Sequence, residues 1–487
     1  MYSKKEEVPE AYLPREALLL NLTVWVDLPL ITRLVNHGEG FHIPIRFSLC
    51  YNIFMSKNKL NTESYKGVRD FYPTDYFTRR FMMDKMEKIA KLYGYEQYDA
   101  SILEPSELYK NKTSEEIVNE QTYTFTDRGG REVTLRPEMT PTIARMIAHK
   151  KNTLPLPIRW FSIPNLFRYE RPQKGRLREH WQFNVDIFGL SGADAEIEII
   201  SLGRDLLKDL GLKDNDYTIR LSSRVITDFM FGEFLGLDKE NTKNLARLID
   251  KKTKITLKEF EDKAEEILGR RDDIFLGMVF SKNFEGFTKH LPKNEKLDKE
   301  LENLDLIITG LNNLGINNVV LDQSLIRGFD YYTGTVFEFF DNDSENPRSL
   351  LGGGRFDKLL EIFDAPQIPT VGFGMGDVVL AEALESRNLL PKYKKEKTVA
   401  ICPLSNKTVS FSNEIAQNLR DNGIPVLVSY NFKKAGEQIK WADKHQVESV
   451  FCVGDDEIES GEFIVKNLMS GKEEKIKETD LIKFFNK

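Results

Sequence analysis

Between Asp75 and Tyr93 the apolar residues Phe77, Phe81, Met82, Met86, Ile89 and Leu92 recur at three- and four-residue steps, which predicts one amphipathic helix stopped by Gly94. An extended stretch through Ile102 to Pro105 follows. Tyr123-Thr-Phe and Val133-Thr-Leu, joined through Arg128-Gly-Gly-Arg, read as a hairpin, because paired glycines supply the positive φ of a tight turn. Ile158-Arg-Trp-Phe-Ser-Ile, Asn165-Leu-Phe-Arg-Tyr-Glu and Trp181-Gln-Phe-Asn-Val-Asp-Ile-Phe-Gly continue in strand-like pattern, the last two flanking a polar loop. Asp194 to Leu210 reads as helix and Tyr217-Thr-Ile-Arg-Leu as strand. From Ile226 to about Leu314 the chain becomes a Lys/Glu/Asp-rich helical insertion. Strand signals return at Asn318-Val-Val-Leu-Asp and Thr335-Val-Phe-Glu-Phe-Phe, then come the glycine-rich Gly352-Gly-Gly-Arg-Phe-Asp and a strand-to-helix unit from Val371 to Leu384. Pro391 to Lys397 reads as a linker. Beyond it, Val399-Ala-Ile-Cys, Val426-Leu-Val and Val450-Phe-Cys-Val alternate with helical stretches, the pattern of a parallel α/β domain.

Composition narrows the class. The 487 residues predict several domains, and 40% hydrophobic with 30% charged residues is a globular profile. Cys50, Cys402 and Cys452 lie far apart with no C-x-x-C spacing, so neither a disulfide framework nor a cysteine zinc site is expected, and a reducing cytoplasm fits. A net charge of -7 argues against wholesale polyanion binding but leaves room for a local basic stripe. The apolar run from Ala17 to Val35 is broken by Asp27, Pro29 and Arg33 and falls short of the roughly 20 residues a membrane span needs. Acidic residues from Glu6 to Glu10 and the lack of a small-residue cleavage site argue against a signal peptide. Residues 1–54 are therefore read as upstream translation or an unstructured extension ahead of the start-like Met55-Ser-Lys-Asn-Lys, with an accessory arm as the alternative.

No G-x-x-x-x-G-K-[ST], H-E-x-x-H or G-x-S-x-G signature occurs, and the six histidines are scattered, which leaves histidine-based metal catalysis unsupported. Three stretches carry candidate chemistry instead. In the densest charged cluster, Phe167-Arg-Tyr-Glu-Arg-Pro-Gln-Lys-Gly-Arg-Leu-Arg-Glu-His-Trp-Gln, Arg168 alternates with Phe167 and Tyr169, an arrangement suited to phosphate binding by a planar guanidinium. Lys174, Arg176 and Arg178 around Gly175 suit a polyanion, and equally a solvated charged hairpin. Arg327-Gly-Phe-Asp-Tyr-Tyr-Thr-Gly offers a cation, a close backbone approach and two hydroxyls, or else a strand end with surface aromatics. In Leu135-Arg-Pro-Glu-Met-Thr-Pro, Glu138 and Thr140 can bind an ammonium group, although Thr140 is also a plausible helix N-cap.

Taken in order and spacing with Gly353-Gly-Arg-Phe-Asp, these stretches resemble the histidyl-tRNA synthetases, a family of class II aminoacyl-tRNA synthetases. The resemblance covers roughly Tyr65 to the C-terminus. It implies an α+β fold: a class II synthetase antiparallel sheet flanked by helices, with a helical insertion and a C-terminal α/β anticodon-binding domain. The implied division is a catalytic domain in two parts, 55–224 and 316–390, an insertion at 225–315 and an anticodon-binding domain at 397–487. The implied substrates are histidine, ATP with Mg2+, and tRNA(His). The implied assembly is a cytoplasmic homodimer with no membrane association, joined through the helix from Asp75 and the strand to Pro105. By the same resemblance Glu138, Met139, Thr140, Gln182, Asp186, Tyr331 and Tyr332 form the histidine site. Arg168, Glu170, Arg178 and His180 form the ATP site, and Arg168 and Arg327 act on the α-phosphate. No resident metal site is implied. Two positions depart from the family pattern: Val379 stands where an arginine is usual, and His180 where a phenylalanine often stacks on adenine. Both are expected in one repacked nucleotide pocket. The rival reading is the non-catalytic synthetase-like regulatory subunit of ATP phosphoribosyltransferase, which typically lacks the anticodon-binding domain and much of the Arg-Gly-x-Asp-Tyr-Tyr pattern. A third is an RNA-binding interaction protein without catalysis.

Overall fold

The computed structural model describes residues 60–110, 121–249, 251–252, 255–281, 286, 288–289, 291–325, 331–343, 348–430 and 434–486. The extension expected over residues 1–54 lies outside the described residues, as does Arg327. Everything below belongs to the unit Ser64–Lys487.

Helix α1, Pro73–Leu92, begins with Pro at its first position, where the fixed φ costs nothing, and Gly94 ends it with φ +80°. Met82, Met86, Ile89 and Ala90 are buried, but Leu92 is 71% exposed. At about 100° per residue, Phe77, Phe81 and Leu92 fall on a neighbouring stripe rather than on the buried one. Phe81 is half-buried against the main core and Phe77 lies edge-on to Tyr393, so of these three only Leu92 is exposed.

Strands β1 (Glu96–Gln97), β5 (Ile158–Ser162), β7 (Glu179–Phe188), β12 (Thr370–Gly376), β11 (Ser349–Arg355), β10 (Thr335–Asp341), β8 (Tyr217–Ser223) and β9 (Val319–Leu321) lie side by side in that order. Strand β6 (Asn165–Phe167) pairs alongside β7. The centre is antiparallel, as expected, and the parallel pairs β1 with β5 and β8 with β9 sit at the edges. A smaller sheet holds β2 (Leu103–Pro105), β4 (Glu132–Leu135) and β3 (Tyr123–Thr126), the last two being the expected hairpin. The glycine-rich segment Gly352–Gly354 is a central strand, with Gly353 so close to the Gly372 carbonyl that a Cβ would collide with it.

Alternation along β7 divides its residues between two environments. Phe183, Val185 and Ile187 enter the main core with the buried faces of α1 and of α2, Ala193–Asp209. Gln182, Asn184 and Asp186 face the opposite side, where the candidate site lies. The insertion contains helices Lys239–Ile249, Leu257–Leu268, Asp273–Phe280 and Glu295–Asn313, the last three capped by Thr256, Asp272 and Asn294. Gly310 lets the last of these lie directly on Ile197 of α2.

In the C-terminal part, β13 (Val399–Pro403) pairs in parallel with β14 (Val426–Val428) and β15 (Ser449–Val453), as the alternation predicts. Two antiparallel strands, β16 (Glu462–Asn467) and β17 (Glu473–Lys477), extend that sheet and were not foreseen. Cys402 and Cys452, distant in sequence, stand opposite each other as free thiols on β13 and β15. Among the described residues no helix is long and apolar enough to cross a membrane.

Candidate active site

The open face of the main sheet carries two cavities that share Gln182. The first, of about 400 Å³, is lined by residues including Glu138, Thr140, Gln182, Asp186, Tyr331 and Tyr332. Its floor is glycine: a Cβ on Gly372 would run into Asp186 Oδ1, and one on Gly374 would come within 2.7 Å of the Gln182 amide. The space for a ligand exists because β11 and β12 present no side chains there.

Glu138 reaches this cavity because Arg136 is buried beneath the turn, donating to the carbonyls of Ala100 at 2.7 Å and Asn165 at 3.0 Å. Helix α3, Thr140–Lys150, then starts with Met139 as N-cap and no side-chain cap. Thr140 is therefore not a capping residue, and Tyr331 Oη lies 3.5 Å from its hydroxyl and 3.2 Å from Glu138 Oε2. Met139, expected among the binding residues, is instead packed in an apolar cluster with Ile143 and Tyr331. Asp186 is only 4% exposed, and burial pushes its carboxyl up to about 8, so the empty cavity holds it protonated at neutral pH. Burial also raises the phenols of Tyr331 and Tyr332, which stay neutral hydrogen-bonding groups.

The second cavity, about 600 Å³, is lined by Arg168, Glu170, Gly175, Arg176, Leu177, His180, Gln182, Gly376, Val378 and Val379. Arg168 Nε donates to the Pro137 carbonyl at 2.9 Å, which fixes its guanidinium beside Glu138 and thus between the cavities. Glu170 pairs with Arg176 at 3.5 Å. Burial, with the positive charges of Arg168 and Arg69, pushes His180 down to about 3, so it presents a neutral ring. His180 and Val379 line the same cavity, so both departures from the family pattern fall where one pocket would feel them.

Arg178 is not brought into this group. Its guanidinium lies 4.1 Å from the Tyr169 ring centre and donates to Tyr65 Oη at 2.9 Å, leaving Arg176 as the loop arginine that lines the cavity. Asn184 and the glycines of β12 were missed by sequence reasoning. For Asn184 the signal was present in the two-residue alternation Gln182, Asn184, Asp186. Among the described residues no cluster of three or more His, Cys, Asp or Glu side chains could hold a metal ion.

Residues 67–376 match the family model for histidyl-tRNA synthetase, and residues 398–487 match that for an anticodon binding domain. The chain is 39% identical to a histidine–tRNA ligase of Leptospira biflexa over 85% of this chain and 95% of that one. It is 36% identical to a histidine–tRNA ligase of Thermoplasma volcanium over 88% and 99% of the two chains. Among solved structures, the histidyl-tRNA synthetase of Nostoc superposes with a TM-score of 0.70 at 21% identity, covering 88% of this chain and 99% of that one. With the sheet, the paired cavities and these matches in agreement, the chain belongs to the histidyl-tRNA synthetase family.

Proposed function

We propose that this chain is a histidine–tRNA ligase that activates histidine with ATP and transfers it to tRNA(His). The observation that carries the reading is the junction of a small polar cavity with a larger arginine-lined one at Gln182 and Arg168. Such a junction puts an amino-acid carboxylate against an α-phosphate. The match of residues 398–487 to an anticodon binding domain favours the ligase over a regulatory subunit.

In this reading Glu138, Thr140 and Gln182 hold the α-ammonium group, and Asp186 and Tyr332 meet the imidazole. Asp186 gives the site its selectivity. With its carboxyl at about 8 and a free imidazole near 6.5, Asp186 keeps its proton and donates a hydrogen bond to the unprotonated ring nitrogen of a neutral imidazole. The histidine carboxylate oxygen attacks the α-phosphorus and the bond to the bridging oxygen breaks, giving histidyl-adenylate and pyrophosphate. Arg168, joined by Arg327, stabilises the charge on the non-bridging oxygens in the transition state. His180, neutral and flat, packs against the base. The Glu170 carboxylate, which lines the nucleotide cavity and pairs with Arg176, would together with phosphate oxygens hold the Mg2+ that accompanies ATP, and the ion would offset phosphate charge. A terminal ribose hydroxyl of the tRNA then attacks the adenylate carbonyl and AMP departs. Met139 and Arg178 act from behind the site by packing and by anchoring the loop. A cytoplasmic location and a homodimer belong to the same proposal, with the domain division at 55–224, 225–315, 316–390 and 397–487.

Charging of a tRNA(His) transcript with labelled histidine tests this. Acid-stable label on the 3′ end is expected; an absence of charging in the presence of ATP and Mg2+ would overturn the reading.

A further inference from the structure

The nucleotide cavity is short of positive charge for a triphosphate. Among the described residues its cations are Arg168 and Arg176, and Glu170 already pairs with Arg176. The wall formed by the helix Asp377–Ser386 contributes only Val378 and Val379. Two arginines near that wall are committed elsewhere. Arg69 donates to Asp377 at 2.7 Å, and Arg79 is held between the rings of Phe71 and Trp181, at 3.9 and 4.2 Å from their centres.

Arg348, at the foot of β11, is different. Its guanidinium lies directly on Gly175, the residue at the turn of the loop lining the cavity, where φ is +71° and a Cβ would strike Arg348 Nη1. That Nη1 is buried and has no hydrogen-bond acceptor. A buried guanidinium N–H without an acceptor costs free energy, which an arriving anion removes. Glu382 Oε1 accepts the Gly175 N–H at 2.9 Å while its Oε2 is also unpartnered, and no ion pair joins Glu382 to Arg348. Arg348 is not itself among the residues lining the cavity; it abuts Gly175, which does line it and is fastened to the Glu382 carboxylate.

We propose that Arg348 binds the β- and γ-phosphates of the nucleotide, supplying from β11 the positive charge that Val379 does not. The assignment rests on the proposed function for the nature of the ligand. Its signature is discrimination between ATP and AMP, because only ATP carries the phosphates that Arg348 would meet.

The test is calorimetric binding of ATP and of AMP to the full chain, with Mg2+ present. Arg348→Ala is expected to weaken ATP by about 10- to 100-fold while leaving AMP and histidine within about twofold. Arg348→Lys should recover part of the loss, and Val379→Arg in the Arg348→Ala background should recover most of it. Unchanged ATP affinity in Arg348→Ala would overturn the assignment. So would equal weakening of ATP and AMP reproduced by Glu382→Gln, which would make Arg348 part of a loop latch. Wild-type protein that binds ATP but shows no histidine-dependent turnover would overturn the proposed function and leave this assignment to be decided by the same titrations.

Discussion

Asp186 is the residue on which recognition and stability oppose each other. Its carboxyl is raised by burial above its unfolded value, so the folded state holds a proton that the unfolded state releases. Stability from this group is complete below about pH 4 and is lost as pH rises toward about 8, after which it is constant. Asp186→Asn should therefore melt higher than the wild type, by roughly 2–4 °C per kcal/mol of relief, with the gap widening from pH 5 to pH 8 and then levelling. The same variant should lose histidine affinity, and in the wild type the KM for histidine should rise above about pH 8 as the proton is lost. Scanning calorimetry and exchange kinetics across that range check both; a variant melting no higher than wild type at pH 8 would contradict the buried-carboxyl account. Arg168→Ala should reduce adenylate formation about a thousandfold, because its charge acts where negative charge develops. Histidine binding by equilibrium dialysis should hardly change.

At the scale of elements, the site is a sheet face with side chains on one strand and none on its neighbours. Gly372→Ala should therefore raise the KM for histidine about 100-fold by displacing Asp186, with the KM for ATP and the far-ultraviolet circular dichroism unchanged. Equal loss for both substrates would mean the strand itself had shifted. This arrangement also explains what could be read in advance. Gln182 and Asp186 were legible because the charged and polar residues of β7 interrupt an apolar run, and the resemblance attached roles to them. Gly372 and Gly374 were not, since a missing side chain becomes meaningful only when the register sets it opposite Asp186 and Gln182. The separation of Arg178 from the cavity was not legible for a related reason. Arg176 and Arg178 are alike in the sequence, and only the packing of Tyr169 and Tyr65 separates the one that lines the cavity from the one that does not. Strand β16 escaped because its apolar residues, Phe463, Ile464 and Val465, are consecutive rather than alternating, and β17 because it has a single apolar residue, Ile476, among charges.

For the whole molecule, exposed apolar side chains lie on the segments expected to meet a second copy, Leu92 on α1 and Ile102 and Leu103 at β2, with Phe125 exposed on β3 of the same small sheet as β2. Covering them in a homodimer removes apolar surface from water. Light scattering should give twice the 56.3 kDa chain mass, and Leu103→Glu should shift the protein toward monomer. A chain beginning at Met55 should keep full activity, measured as charging of tRNA(His). The most direct test of the central claim is ATP–pyrophosphate exchange by the purified chain, run with histidine, with each other amino acid and with none. Exchange with histidine alone is predicted; exchange with several amino acids, or none with histidine although it binds, would contradict the account.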